Sequence, residues 1–235
     1  MTINPAELYP LSRDLAREHY DTLAYHNWGH VESMLGYVDR RIPVLRSMGV
    51  EIDETEVKEA IVWHDADYKT DSIALGYSSK ELYSAYLAEQ HEKQLGYEDD
   101  FIEKVKVDIA ATQLGNPRPT NEANLVVEAD MHNVAGNRNT FLLTGLKLAR
   151  ENLQLGKVLP TDVATYMSNS AKFLMQYFTE PFVYTTQDGS IVEMGNFTAK
   201  ATRNISKMGA ASLKTLLEIP DCASSLPDQW RSKRR

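Results

Sequence analysis

The spacing of apolar residues along the chain predicts a protein built almost entirely of α-helices. Val31, Met34, Leu35 and Val38 recur at helical intervals, which predicts a helix beginning near Gly29. Further helices are predicted near the N-terminus and at about 99–112, 139–154, 160–178 and 197–217. The pattern therefore indicates an all-α fold, with an irregular tail from residue 218.

The segment that ends at Asp65 combines a helix start with polar residues on an inner face. Asp53-Glu54-Thr55-Glu56 has the form of a capping box, in which both end side chains bond backbone N–H groups. Val57, Ile61 and His64 follow at steps of four and three, which places His64 among buried aliphatic residues. A charged group beside them, such as Asp65, is costly to bury unless it is paired or bound to a metal.

Two further helices carry local expectations. Pro43 is expected to bend or restart the helix that begins near Gly29, because proline lacks a backbone N–H. The helix capped by Ser78 or Ser79 is expected to turn three residues inward, namely Leu82, Ala85 and Tyr86. His91 lies in a polar run of that helix and is expected to be exposed.

One segment, near 182–194, departs from the helical pattern. Gln187-Asp188-Gly189 stands between alternating β-forming residues, and Asp-Gly in that setting is typical of a hairpin turn. A short two-stranded hairpin is one expectation here, and a plain loop is the other.

Composition narrows the classes of function. The 235 residues are 43% hydrophobic and 25% charged, as in an ordinary globular protein, and the net charge is −8. This acidity argues against binding of duplex nucleic acid, although a bound cation would still allow a small anionic substrate. Cys222 is the only cysteine, so no disulfide within the chain is expected. No signal peptide and no membrane-spanning run are expected, and a cytoplasmic location is the default.

Four potential metal ligands stand at the ends of apolar helical segments. They are His30, His64, Asp65 and Asp130. Imidazole nitrogen and carboxylate oxygen suit Zn, Mn, Fe or Mg. Their separations are too long for a local finger, so three helices are expected to bring them together. The alternative for His64-Asp65 is a capped helix end, and Asp130 could likewise be a helix-terminal cap.

The order of these residues resembles the ligand order of the HD superfamily of metal-dependent phosphohydrolases: a histidine, a His-Asp pair and a distant aspartate. The flanking segments are similar to one branch of small HD phosphohydrolases over about residues 20–207. The segments concerned are Tyr25–Val31, Trp63–Tyr68, Lys80–Ala85, Glu128–Asp130 with Gly136, Arg150-Glu151, Pro181–Thr185 and Ala201–Ile205.

The resemblance implies one HD-type helical domain spanning 1–235, with a metal-site core at about 20–155 and helices 160–217 packed on it. It also implies one divalent cation, of Mn, Mg, Co, Zn or Fe, held by the four ligands. The expected reaction is cleavage of a phosphate ester or anhydride, most plausibly of a nucleotide, by metal-activated water. A monomer or a homodimer is expected.

The chain departs from that branch at three points. The family carries a histidine three residues after a threonine, whereas Thr112 is followed by Gln113, Leu114 and Gly115. This argues against a second metal ion or indicates a changed way of holding the substrate. Ala135 also replaces the leucine before Gly136, and Glu128 replaces an aspartate.

Further residues have expected roles with plain alternatives. Asp67 and Glu81 are expected to handle protons, unless they are a solvated acid and a partner in a buried hydrogen bond. His26, Lys80 and Arg150 are expected to hold substrate, since cationic donors suit phosphate oxygens. For His26 the alternative is a structural hydrogen bond, and for the two cations it is an ordinary surface charge.

Two other functions remain open from the sequence. A di-iron oxygenase on the same fold would need extra ligands between Asp65 and Asp130, where His91 is the only histidine. A non-catalytic nucleotide-binding or sensor protein is the second alternative, and it would bind a nucleotide without turnover.

Overall fold

The computed structural model describes residues 4–231, and most of them lie in helices. Contacts divide the chain into two units, which are described separately. Unit 1 holds residues 4–22, 26–130 and 183–193, and unit 2 holds residues 23–25, 131–182 and 194–231. None of the helices in this part of the chain combines the length and the apolar character needed to cross a membrane.

Unit 1 contains six helices and a two-stranded hairpin. The helices are α1 (Pro5–Glu18), α2 (Trp28–Ser47), α3 (Glu54–Trp63), α4 (Lys80–Leu95), α5 (Asp99–Ala111) and α6 (Asn121–Asp130). Helix α3 packs against α1, α2, α4, α5 and α6, so it forms the centre of this unit. Large side chains around it are fully buried, including Trp63, Ile61, Met34, Ile102 and Leu125.

The helix starts in unit 1 follow from capping side chains. Asn4 caps α1 with Pro5 at its first position, and Asn27 caps α2 by accepting a bond from the Gly29 N–H. Asp53 caps α3 by accepting from the N–H groups of Thr55 and Glu56.

The expected capping box is formed only in part. The Asp53 N–H donates to Glu122 Oε1 at 2.9 Å rather than to Glu56, whose side chain is buried and lies near Lys104.

The hairpin is confirmed. Strands β1 (Val183–Thr185) and β2 (Ile191–Glu193) pair antiparallel, with Tyr184 opposite Val192. Gly189 has a φ of 81°, a left-handed conformation that glycine adopts without strain. Asp188 Oδ1 accepts from the Ser190 N–H at 3.0 Å and so fixes the turn. The sheet packs on α6.

Unit 2 consists of helices that pack in pairs. It contains α7 (Arg138–Gln154), α8 (Val163–Met175), a 3-10 helix (Gln176–Phe178), α9 (Gly195–Gly209), α10 (Leu213–Leu217), α11 (Pro220–Ser225) and α12 (Asp228–Arg231). Helix α8 packs on α9, and α7 packs on α11. Phe141, Phe182 and Trp230 are among its fully buried side chains.

The all-α prediction is confirmed, and three local expectations differ from the structure. Helix α2 continues through Pro43 to Ser47 without a restart. The helix expected at 197–217 is two helices, α9 and α10, separated at Ala210–Ser212. The expected irregular tail instead forms α11 and α12 up to Arg231, and residues 232–235 lie outside the described part. Whether residues 1–235 form one domain stays a prediction.

Candidate metal centre

The four predicted ligands converge within unit 1. His30 lies in the first turn of α2, His64 and Asp65 directly follow α3, and Asp130 is the last residue of α6. Three separate segments therefore deliver the side chains, as the sequence predicts. Among the described residues, His30, His64 and Asp65 form a group whose ligand atoms all lie within 4.8 Å of one another.

Asp130, the fourth predicted ligand, contacts the cluster through His30. His30 Nε2 lies 3.0 Å from Asp130 Oδ1, and His64 Nε2 lies 2.9 Å from Asp65 Oδ2. The crossed distances are longer: His30 Nε2 to Asp65 Oδ2 is 3.9 Å, and His64 Nε2 to Asp130 Oδ1 is 4.0 Å. The two imidazoles are nearly fully buried, and the two carboxylates are slightly exposed, at 15% and 17%.

These four histidine–carboxylate separations are of the size expected between atoms bound to one metal ion. Metal–ligand bonds of about 2.0–2.2 Å place two ligand atoms about 3 Å apart at a right angle and about 4 Å apart at a wide angle. The two short and two long distances match these two cases. The donor set of two imidazoles and two carboxylates suits a divalent Zn, Mn or Fe ion.

The tautomer of His64 is set by the backbone. His64 Nδ1 lies 2.8 Å from the Ile61 carbonyl oxygen, an acceptor, so Nδ1 carries the hydrogen in the neutral ring. The lone pair then remains on Nε2, which is buried and has no hydrogen-bond partner among residues 4–231. Its approach to Asp65 at 2.9 Å is too poorly aligned for a hydrogen bond. An orphaned imidazole nitrogen facing carboxylates is the arrangement that a metal ion would satisfy.

Burial and the neighbouring charges shift the pKa values of these groups in opposite directions. Burial alone would lower the pKa of His64, but the adjacent Asp65 carboxylate raises that pKa to about 9. Burial would raise the pKa of Asp65, whereas His64 and then His26 hold it below its usual range. Burial, the largest single effect, would raise the pKa of Asp130, but its bond to His30 and the charges of His30 and His64 together lower it. The carboxylates therefore stay ionised and favour a cation.

A buried carboxylate anchors the end of α6 next to the cluster. Glu128 is fully buried and accepts hydrogen bonds from the hydroxyls of Tyr37 and Tyr184, the latter at 2.5 Å. Arg41 Nε lies 2.8 Å from Glu128 Oε1. Helices α2 and α6 and strand β1 are thereby tied together two residues before Asp130. From the sequence, Glu128 was visible only as a departure from the family pattern.

A second anchor comes from Tyr20, which the sequence reasoning missed. Its hydroxyl donates to the Val62 carbonyl at 3.0 Å and accepts from the Asp65 N–H at 3.4 Å. It therefore holds the backbone on both sides of Trp63-His64. A lone tyrosine after a helix gave no periodic signal for this contact.

Two of the predicted substrate-binding residues lie on one side of the cluster. His26 Nε2 is 3.9 Å from Asp65 Oδ2, and its ring stacks on Tyr68 with centroids 3.8 Å apart. Lys80 Nζ lies 3.7 Å from the centroid of the Tyr68 ring and also bonds the Tyr68 carbonyl. His26, Tyr68 and Lys80 thus form a stack, and its first member borders Asp65.

The other predicted residues do not join the cluster. Asp67 pairs with His19, whose Nδ1 lies 3.2 Å from Asp67 Oδ1. Glu81 is half-buried in the first turn of α4, and in the described chain no hydrogen bond or ion pair links it to the four ligands. Arg150 belongs to unit 2, where it lines a cavity of about 450 Å³ together with Lys147 and Arg231.

Two expectations about other positions can also be compared with the structure. His91 is half-buried rather than exposed, since its ring stacks on Trp63 at 5.0 Å and its Nε2 contacts His19. Thr112, where the sequence departs from the HD branch that it resembles, directly follows α5, and its hydroxyl donates to the Ile109 carbonyl at 2.7 Å.

No protein-family model, no curated protein and no solved structure matches the chain. The functional argument therefore rests on the ligand cluster and on the side chains around it.

Proposed function

We propose that this protein is a metal-dependent phosphohydrolase of the HD type, which cleaves a phosphate ester or anhydride of a small molecule, most plausibly a nucleotide. One observation carries the proposal: the Nε2 atoms of His30 and His64 each lie 2.9–4.0 Å from carboxylate oxygens of Asp65 and Asp130, and three separate segments deliver these side chains. The ligand order in the sequence, with its flanking motifs, supports the same assignment.

His30, His64, Asp65 and Asp130 would hold one divalent cation. Such an ion lowers the pKa of water from about 15.7 to about 7–9 and polarises a phosphoryl oxygen. The chain's own contribution is positioning. The Ile61 carbonyl orients His64, Glu128 anchors the end of α6, and Tyr20 holds the backbone at Asp65.

The stack of His26, Tyr68 and Lys80 would hold the phosphate. Lys80 supplies a positive charge, and the Tyr68 face on which it rests keeps it in place. His26 is 15% exposed and borders Asp65, so it can donate to an oxygen of a bound anion. These groups offset the chain's net charge of −8 locally.

Asp67 and Glu81 remain the predicted proton-handling groups. Asp67 is 33% exposed, and one of its carboxylate oxygens lies 3.2 Å from His19 Nδ1, which leaves the second oxygen to accept a proton. Asp67→Asn and Glu81→Gln keep size and shape while removing the base. A general acid–base group contributes about 10²–10⁴-fold to the rate, so a loss of that size in either variant assigns the role.

The test is phosphate release from a panel of nucleotides and small phosphoesters by the metal-stripped protein refilled with Mn, Mg, Co, Zn or Fe in turn. We expect turnover with at least one metal. His64→Ala and Asp65→Ala should both abolish turnover and the binding of metal at this cluster. His132→Ala, a histidine change in unit 2, is the matched control and should keep both.

Other outcomes would contradict the proposal in distinct ways. Stoichiometric metal binding without turnover of any phosphate compound would favour an oxygenase or a nucleotide sensor, and nucleotide binding would separate these two. Full activity of Asp65→Ala would overturn the site assignment itself.

A further inference from the structure

A second group of polar side chains in unit 1, two histidines and an aspartate, lies outside the cluster of four predicted ligands. His19 directly follows α1, Asp67 lies in the loop after α3, and His91 is on α4. His19 Nε2 and His91 Nε2 are 3.1 Å apart, and the two rings meet edge-on at 69°. Three segments that are distant in sequence therefore converge on one pair of nitrogens.

Both nitrogens face each other because other contacts fix the rings. His19 Nδ1 lies 3.2 Å from Asp67 Oδ1, and this nearby carboxylate favours the tautomer with the hydrogen on Nδ1 and the lone pair on Nε2. His91 stacks on Trp63 with an interplanar angle of 13°, which sets the plane in which its Nε2 points. The pair is thus oriented from both sides.

The arrangement of Asp67, His19 and a facing nitrogen is one that proteins use to hold metals. A carboxylate that accepts from the outer N–H of a ligating histidine fixes its tautomer and raises its basicity. Metal–nitrogen bonds of about 2.0–2.1 Å would span the 3.1 Å gap at an angle of about 95–100°. That angle suits two neighbouring positions of a six-coordinate ion.

The surroundings favour a cation that keeps several waters. His19 and Asp67 are 22% and 33% exposed, so the remaining coordination positions face solvent. The charges of the Asp67 and Glu18 carboxylates both act to raise the pKa of His91. Burial and the neighbouring His19 lower the pKa of His91, which keeps that ring neutral and able to bind.

We propose that His19 and His91 form a second, open binding site for a late first-row divalent ion such as Zn²⁺ or Ni²⁺, with Asp67 as a positioning residue. Imidazole pairs select such ions, whereas Mg²⁺ prefers oxygen ligands and is not expected here. This inference does not depend on the phosphohydrolase proposal, because it uses none of the four ligands of the first cluster.

The experiment titrates the metal-stripped full-length chain with Zn²⁺ and Ni²⁺ by calorimetry. We expect the wild type to bind one more equivalent than His91→Gln or His19→Gln. Asp67→Asn should retain the equivalent but weaken it about 10–100-fold. His132→Gln is the control and should match the wild type. Asp130→Asn should impair only the first cluster, which separates failure of one site from failure of the other.

A second readout separates a metal site from a plain hydrogen bond between the rings. In ¹⁵N-histidine NMR spectra, Zn²⁺ should shift the Nε2 resonances of His19 and His91 together in Asp130→Asn, while Mg²⁺ leaves them unmoved. Circular dichroism checks that each variant is folded. Equal stoichiometry in wild type and His91→Gln, or unmoved Nε2 resonances with Zn²⁺, would overturn the proposal and leave a hydrogen bond only.

Discussion

At the scale of single residues, the chemistry of His64 is set by its covalent neighbour. The Ile61 carbonyl fixes its tautomer, and Asp65 supplies the charge that it faces. Burial alone would lower the pKa of His64, but Asp65, together with Asp130 and the bond to the Ile61 carbonyl, outweighs burial and raises it. A ligand and its electrostatic partner are thus delivered together by one dipeptide at the end of α3.

Asp65→Asn should lower the pKa of His64. The variant keeps the shape of the side chain but removes the charge that raises this pKa to about 9. Burial remains, so the pKa should fall several units towards the ordinary value of about 6.5. An NMR titration of the metal-free protein measures it. Asp67→Asn removes a charge two residues beyond Asp65 and should leave the pKa of His64 near its starting value. An unchanged pKa in Asp65→Asn would assign the shift to another group.

His91 shows where single-residue prediction failed. Its neighbours in the chain are polar, and hydropathy alone indicates exposure. The structure instead stacks it on Trp63 and brings it to His19, two contacts that depend on tertiary packing. The four ligands were predictable because each interrupts the end of an apolar run. His91 interrupts none.

At the scale of elements, α3 is the helix on which the site depends. Asp53 caps one end, and His64-Asp65 follow the other. Its ten residues make it short, so tertiary packing and the cap stabilise it more than intrinsic propensity does.

Asp53→Ala should destabilise the protein by about 1 kcal/mol, with a range of about 0.5–2. The change leaves the N–H groups of Thr55 and Glu56 without their side-chain acceptor. Chemical denaturation at neutral pH measures the loss of unfolding free energy. Asp53→Asn retains a capping oxygen and serves as the matched control, with a change of a few tenths of a kcal/mol. An equal loss in both variants would show that charge, not capping, is responsible.

Helix α4 shows the limit of periodicity for predicting an inward face. Leu82 and Tyr86 were expected inside but are 39% and 40% exposed. Ala85 is buried as expected, and the other buried residues of the helix are Ser84, Leu87, Ala88 and Glu92. Ser84 bonds the Ala66 carbonyl at 3.3 Å, so a polar contact sets the rotation of the helix. Apolar spacing could predict that the helix exists, but not which side it buries.

At the scale of the whole molecule, the chain contains buried acids whose burial apolar periodicity does not predict. Glu59 accepts from Ser12 and Tyr97, whereas both carboxyl oxygens of Glu92 lack a hydrogen-bond partner among residues 4–231. Burial raises the pKa of Glu59 to about 7. Burial, and then Glu59 and Glu89, raise the pKa of Glu92 to about 9. Glu92 therefore keeps its proton at neutral pH, and Glu59 is only partly ionised there.

Unfolding free energy should therefore fall as pH rises from about 5 to about 9. In this window the unfolded chain, with glutamate pKa values of about 4.3, binds fewer protons than the folded chain. Each such group contributes a loss of up to about 1.4 kcal/mol per pH unit below its folded pKa. Denaturant unfolding at pH 5.5 and pH 8 measures the difference.

Glu92→Gln should reduce this loss, because the amide carries no proton to release. Glu98→Gln, at an exposed position, should show the wild-type dependence. If the unfolding free energy of Glu92→Gln fell with pH as steeply as that of the wild type, Glu92 would be ionised in the folded state.

The fold class and the convergence of the four candidate ligand side chains could be predicted, because apolar periodicity and the polar residues at its breaks are local signals. The anchors of the site could not be predicted. Glu128 depends on Tyr37 and Tyr184, and Asp65 depends on Tyr20, and these pairings form only when distant segments meet.

Asp67 is the only residue other than glycine with a positive φ in the described chain, at 52°. Aspartate, asparagine and glycine tolerate this left-handed conformation best, and β-branched residues tolerate it worst. Its identity is therefore restricted twice, once by the backbone and once by the bond to His19. In a saturation library, glycine should preserve the loop while losing the carboxylate, and valine or isoleucine should lose both. The substitutions tolerated at position 67 would then depend on the backbone conformation as well as on the chemistry of the carboxylate.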